Sequence, residues 1–189
     1  ELGFKKFYFF ENYTNNWGDI DEKVLNFIES IEDLKDFLTF DYFIATGDNE
    51  TRSIHFNKFS EIFKKPPINL IHPKTTVSNY IKIGYGNLIC PGVIINNNTF
   101  IGNGNIINTS TVVEHDNIIG NFSQLSPNST LCGYVTIEDY VFVGAGSVII
   151  PNVTIPNHCL VGAGSVVLKS PKTKEKIVGV PAKSIKHSK

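Results

Sequence analysis

Of the five histidines in this 189-residue chain, His115 is the one whose neighbours could make it a base. It sits in the segment TVVEHDNIIG, between Glu114 and Asp116. A carboxylate beside an imidazole can hold the ring in one tautomer and raise its basicity, as general-base catalysis requires. Gly133 follows eighteen residues later, and a glycine leaves its backbone N–H approachable, as an oxyanion donor must be. Gln124 lies nine residues from both. The other histidines sit in less demanding contexts. His187 is in the tail, His55 falls on an expected helix, His72 precedes a proline, and His158 is in a turn that needs only polarity.

The spacing of eighteen matters because of the element that carries it. From Ile71 through Val77, Ile83, Ile89 and onward to Val167, every sixth residue is aliphatic, seventeen times without a break. Period six fits neither a helix nor a single strand, so the unit is a supersecondary repeat. It predicts a β-solenoid over 66–170 with three short sides of six residues, inward aliphatic ladders, and coils about 4.8 Å apart. Residues two places before the aliphatic are small or β-branched (Val93, Thr99, Thr111, Ser147, Val153, Ser165), as a cramped interior requires. Gly84, Gly102, Gly120, Gly144 and Gly162, each just after the aliphatic, are expected at corners with an unusual backbone angle. On this register His115 and Gly133 stack on adjacent coils. Gln124 lies half a coil round and would reach His115 only from a neighbouring copy.

Ahead of the solenoid, residues 1–65 read as a small α/β domain. FKKFYFF (4–10) reads as a strand, and SIEDLKDFL as a helix starting near Ser30. DYFIATGD reads as a buried strand. A helix capped by Asn49 is expected to run to about Lys65, with Ile54, Phe59, Ile62 and Phe63 on its apolar side, until Pro66 and Pro67 stop it. No glycine-rich turn of the nucleotide-binding kind precedes Glu1, and the chain holds no methionine, so the domain reads as N-terminally truncated and Rossmann-like. Residues 171–189 read as a closing strand and a charged tail.

With 17 basic and 18 acidic residues, the chain has no cationic footprint for nucleic acid. No stretch is apolar enough for a membrane span, and no signal peptide is evident. Three scattered cysteines suit reduced thiols in a cytoplasmic protein. A metal hydratase would need about three converging histidines. Reduced by eighteen, His72, His115 and His158 fall at coil positions 0, 7 and 14, so no metal site is expected.

The repeat resembles the hexapeptide-repeat acyltransferases, whose fold is a left-handed parallel β-helix. The segment NTSTVVEHDNIIGNFSQLSPNSTLCGYVTI is similar to the active-site region of nucleotide-sugar acetyltransferases. These include the UDP-4-amino-sugar N-acetyltransferases of bacillosamine biosynthesis and sialic-acid O-acetyltransferases. The likeness extends from LGFKKFYFFEN and DYFIATGDNETR to the VGVPAK ending. It implies a homotrimer with acetyl-CoA bound in grooves between subunits, His115 as base, Asp116 orienting it, and the Gly133 amide meeting the thioester oxygen. It further implies acetyl-CoA contacts from Gln124, Ala145, Ala163 and Lys183, and sugar-nucleotide contacts from Glu11, Asn12 and Asn108. Gln124 stands where many relatives carry a second histidine. An amide donates a hydrogen bond but carries no proton near neutrality, so a two-histidine mechanism is excluded.

The expected activity is therefore N-acetylation, from acetyl-CoA, of a UDP-linked 4-amino-4,6-dideoxy sugar by direct attack on the thioester. The alternatives are sugar O-acetylation on the same fold and a non-catalytic solenoid scaffold.

Overall fold

The computed structural model describes residues 8–10, 26–28 and 32–185. Residues from Tyr42 onward form one compact unit, and the described residues before it belong to another. In the earlier unit, strands β1 (Tyr8–Phe10) and β2 (Asn26–Ile28) pair in parallel. The helix expected from Ser30 is a single 3-10 stretch, Glu32–Phe37, around the buried Leu34; Ser30 itself lies outside the described residues.

The solenoid follows the period of six. Two-residue strands stack eighteen residues apart into three parallel sheets. The first sheet carries the ladder Val77–Ile95–Val113–Leu131–Ile149–Val167. The second carries Ile83–Ile101–Ile119–Ile137–Ile155, and the third Ile71–Ile89–Ile107–Leu125–Val143–Val161. From Ile89 to Val167 these aliphatics are essentially sealed from water, each contributing roughly 1.5–3 kcal/mol by burial. The first coil is the exception, with Ile71 at 36% exposed and Val77 and Ile83 half-buried, because it has no coil beneath it. After Val161 the register tightens to sixteen residues, Val161 pairing with Ile177. The chain then closes in an antiparallel hairpin, Lys176–Val178 with Lys183–Ser184.

Between sheets lie three edges. The first edge (96–98, 114–116, 132–134) joins the first sheet to the second, the second edge (102–104, 120–122, 138–140) the second to the third, and the third edge (108–110, 126–128, 144–146) the third to the first. At every corner from Gly86 to Gly164 the left-handed residue is the last of the three, filled by Gly, Asn, Ser, Asp, aromatic residues or His. The glycines just after the aliphatic are therefore not the unusual-angle residues expected of them; crowding requires them instead. A Cβ on Gly102 would stand 2.5 Å from the Gly120 carbonyl oxygen, and one on Gly144 would stand 2.5 Å from the Ala163 nitrogen. Coils approach too closely there for any side chain.

The expected small residues do line the interior, joined by asparagines the pattern did not flag. Asn87 and Asn105 are fully buried. Their Oδ1 atoms accept the N–H of Asn105 and Ser123 on the next coil at 2.8 Å. Their amides donate to the carbonyls of Gly102 and Gly120 at 2.9 and 2.8 Å. Each thus satisfies backbone groups that sheet pairing leaves open at a buried turn.

Helix α1 (Asn49–Phe63) lies along the second edge. Its N-cap is Asp48, one residue before the cap expected from the sequence. Its inward face differs in part. Phe63 is buried as expected, but Ile54 is 64% exposed, and Arg52 and Ser53 are buried instead. Arg52 anchors the helix: Nε donates to the Gly104 carbonyl at 2.6 Å, Nη1 to the carbonyls of Thr46 and Gly47, and Nη2 to Asn49 Oδ1. Burial pulls the guanidinium down to about 10, with the Asp48 carboxylate opposing, so it remains charged at neutral pH. The segment DYFIATGD is not a strand. It has no regular structure, because its carbonyls at Thr46 and Gly47 serve Arg52 and that of Tyr42 accepts from Ile68.

Replacing Arg52 with Met would strand the buried Gly104 carbonyl and deprive those of Thr46 and Gly47 of their donor. We expect a loss of about 2–4 kcal/mol in urea unfolding; a loss below about 0.5 kcal/mol would show that helix α1 is held by apolar packing instead.

Candidate functional site

The first edge brings together Glu114, His115 and Asp116 with Gly133 and Tyr134 one coil on. Asp116 has a φ of 58°, and this left-handed turn lets two consecutive side chains converge. Its Oδ2 stands 2.8 Å from His115 Nδ1. The corner is pinned from within by buried Asn117, which accepts the Val135 N–H at 2.8 Å and donates to the Glu114 carbonyl. From the preceding coil, Asn96 donates to Glu114 Oε2 at 2.9 Å and Asn98 to Asp116 Oδ1 at 3.3 Å.

Gly133 lies against the imidazole as the eighteen-residue offset predicts. A Cβ built on it would stand 2.7 Å from Cε1 and 3.0 Å from Nε2 of His115. Only glycine leaves room for the ring at this height. Among the described residues, the Gly133 backbone N–H meets no backbone acceptor. The Asp116 contact occupies Nδ1, so Nε2 is the nitrogen left to exchange a proton with a ligand. Side chains of the pair are 52% and 28% exposed, so solvent and ligands reach it. The hydrogen bond from His115, foremost, holds the Asp116 carboxyl below its ordinary value; donors from Asn98 and Tyr134 act in the same direction, against desolvation. Above that value the carboxylate is ionised and the pair intact; it is lost only as pH falls through the depressed pKa.

The remaining expected site residues lie elsewhere on the coil. Gln124 is on the third sheet, paired with Ile106 and Phe142. It lines a cavity of about 370 Å³ with Asp48 and Glu50 at the start of α1 and with Tyr140, His158 and Lys176. Ala145 and Ala163 are exposed on the third edge, one coil apart, with the Gly164 N–H donating to the Ala145 carbonyl at 2.8 Å. Their small side chains leave that edge open to an extended chain such as pantetheine. Asn108 shares this edge, its Oδ1 accepting from the Thr109 N–H. Lys183 is exposed on the closing hairpin, free to face a phosphate. Glu11 and Asn12 lie outside the described residues. Thus one chain unites His115, Asp116 and Gly133, while Gln124, Asn108, Ala145 and Ala163 sit on a different sheet and edge.

His72, His115 and His158 occupy three different edges, so they cannot share an ion within one chain. His72 Nδ1 accepts the Lys74 N–H, and His158 pairs with Glu50 at 3.0 Å and stacks on Tyr140. Among the described residues, no group of three or more His, Cys, Asp or Glu side chains is placed to hold a metal. His55 is half-buried on helix α1, its Nδ1 3.2 Å from the Thr46 hydroxyl. None of the described helices is long and apolar enough to cross a membrane. Sequence reasoning missed Asn98 and Tyr134, although the same eighteen-residue offset from Asp116 finds both.

Two variants probe this corner. Gly133→Ala should push the imidazole off its seat and lower turnover by about 10²-fold while the coil stays folded; unchanged turnover would mean the close approach is idle. In a carbon-13 titration, the Asp116 carboxyl should show its midpoint below 3.8. A midpoint at or above that value would mean the His115 contact does not persist in solution.

A family model described as bacterial transferase hexapeptide (six repeats) matches residues 134–169. Among solved structures, PerB from Caulobacter crescentus in complex with CoA and GDP-perosamine is 38% identical, over 76% of this chain and 69% of that chain, with a TM-score of 0.73. A histidine-to-alanine variant of GDP-perosamine N-acetyltransferase from the same organism, also with CoA and GDP-perosamine, is 33% identical. It covers 87% of this chain and 78% of that chain, with a TM-score of 0.80. The acetyltransferase domain of PglB from Neisseria gonorrhoeae, in complex with acetyl coenzyme A, is 24% identical over 95% of this chain and 86% of that chain. Its TM-score of 0.83 is a likeness of fold. No curated protein matches the chain.

Proposed function

The chain belongs to the hexapeptide-repeat, left-handed β-helix acetyltransferases that acetylate amino sugars from acetyl-CoA, and from that premise we propose that His115 is the base of the transfer. The observation that carries this reading is the stack of His115 on Gly133, with Asp116 on Nδ1 and Nε2 left free. Asp116 fixes the tautomer in which Nε2 lacks a proton. The acceptor amine attacks the thioester carbonyl carbon, and Nε2 takes the proton the nitrogen sheds. The Gly133 N–H donates to the carbonyl oxygen as negative charge gathers there, and the C–S bond breaks. The proton then passes from Nε2 to the departing CoA thiolate, which returns the base to its starting state. Family membership sets aside the inert-scaffold reading.

The acceptor we propose is a nucleoside-diphosphate-linked 4-amino-4,6-dideoxy sugar. The resemblance of the EHD segment favours UDP, while the relative at 38% identity binds GDP-perosamine, so both nucleotides belong in the first panel. The active unit we propose is a homotrimer. Its support is the division of the expected site over separate sheets and edges, which a second copy packed alongside would reunite: Gln124 toward the acetyl group, Ala145 and Ala163 along the pantetheine arm, Lys183 near CoA phosphate. Asn108 is assigned to the acceptor. Glu11 and Asn12, in the α/β region before the solenoid (1–65 on the sequence reading, with 171–189 closing the chain), are assigned to the nucleotide. A cytoplasmic location follows from where nucleotide sugars and acetyl-CoA are made.

A thiol-release assay with acetyl-CoA and UDP- and GDP-linked amino sugars tests this. Turnover with a 4-amino sugar should fall about 10²–10⁴-fold in His115→Ala. Turnover that survives the substitution would remove His115 from its role, and turnover only with hydroxyl acceptors would establish O-acetylation.

A further inference from the structure

The left-handed residues of the first edge form a column: Asn98, Asp116, Tyr134 and Asn152, with φ values of 58°, 58°, 60° and 63°. Asparagine and aspartate tolerate this conformation; a tyrosine there is strained by an amount on the order of 1 kcal/mol. On the second edge, Phe122 and Tyr140 hold the same conformation, but Phe122 is buried with its ring 5.4 Å from Phe56 of α1, and Tyr140 bonds Ser53. Packing against the helix offsets their strain. Tyr134 makes no such contact within the chain, where it is 57% exposed.

What Tyr134 does touch is the His115–Asp116 pair. Its ring centroid lies 5.5 Å from that of His115, with the planes at 87°. Its N–H donates to the His115 carbonyl at 3.1 Å. Asn98 reaches the same carboxylate from the coil below, at 3.3 Å. The imidazole is therefore bounded by the bare backbone of Gly133, the perpendicular ring of Tyr134, and the carboxylate on Nδ1. Strain retained at an exposed position beside reacting groups points to a role in function.

We propose that Tyr134 is a positioning residue for the acetyl transfer, its perpendicular ring fixing the plane of the His115 imidazole that Asp116 engages at Nδ1. The proposal rests on His115 being the base. Asp116 makes two demands that oppose each other: it must be free enough to accept from Nδ1 and held firmly enough not to swing into solvent. Asn98 holds the carboxylate from the coil below, and the Tyr134 ring on the coil above limits the swing of the imidazole that the carboxylate engages. The ring is the part that acts, so one variant keeps it and the other removes it.

Tyr134→Phe removes the hydroxyl, and Tyr134→Asn replaces the ring with the residue the column carries at Asn98 and Asn152. The full chain is compared with both variants and with His115→Ala, using acetyl-CoA with the best acceptor of the UDP and GDP panel. The His115 tautomer is read separately by nitrogen-15 NMR, which needs no acceptor. Tyr134→Phe keeps the ring and should lower kcat less than Tyr134→Asn does, with KM for acetyl-CoA within about twofold. Tyr134→Asn should lower kcat by about 10- to 30-fold and turn a single Nδ1–H tautomer into a mixture. Unchanged kcat and tautomer in both variants, with His115→Ala inactive, would overturn the role of Tyr134 alone. Turnover surviving in His115→Ala would overturn both the base and the positioning role built on it.

Discussion

Everything chemical in this molecule depends on hydrogen bonding between coils at a fixed offset of eighteen residues. In the sheets, from Ile71 to Ile149, the N–H groups before and after each ladder aliphatic bond to carbonyls of the next coil at 2.7–3.2 Å. In the corners, the left-handed residue donates back to the coil before: Asp116 to Asn97, Tyr134 to His115, Asn152 to Gly133. Buried asparagines supply acceptors where a corner leaves an N–H without one. The result is a rigid ruler with a step set by β geometry. A residue on it can be aimed at a residue on the next coil without any loop to hold it. His115, Gly133 and the carboxylate of Asp116 are placed in this way.

The ruler also explains the economy of the site. Catalytic pairs on mobile loops need surrounding side chains to lock their rotamers. Here the lock comes from the coils on either side, with Asn98 below and Gly133 and Tyr134 above. The helix on the second edge uses the same columns differently. Gly86 and Gly104 leave space at the corner, Phe122, Tyr140 and His158 stack outward along it, and Arg52 reaches the Gly104 carbonyl. One edge has become a docking strip for a helix and another an acid–base pair, on one backbone.

This division accounts for what the sequence could reveal. Ladders and the His115–Gly133 stack were legible because both follow from counting: six fixes the inward residue, eighteen fixes its neighbour. Corner angles were not. Glycine serves two purposes two residues apart, close approach at Gly102 and a left-handed turn at Gly104, and composition alone does not tell them apart. Of the inward face of helix α1 only the Phe63 end is legible, because its anchor Arg52 is a charged residue satisfied by carbonyls, invisible to an apolar-stripe reading. DYFIATGD looked like a strand for the same reason: its apolar residues are real, but its backbone is spent on Arg52. Asn98 and Tyr134 obey the same count of eighteen, taken from the Asp116 carboxylate and not from the histidine beside it.

The most direct test of the account is a crystal structure of the protein with acetyl-CoA bound. The thioester oxygen should lie within about 3 Å of the Gly133 nitrogen, with His115 Nε2 facing the side from which an amine attacks. A thioester bound away from this corner, with ordered solvent over Gly133, would contradict it.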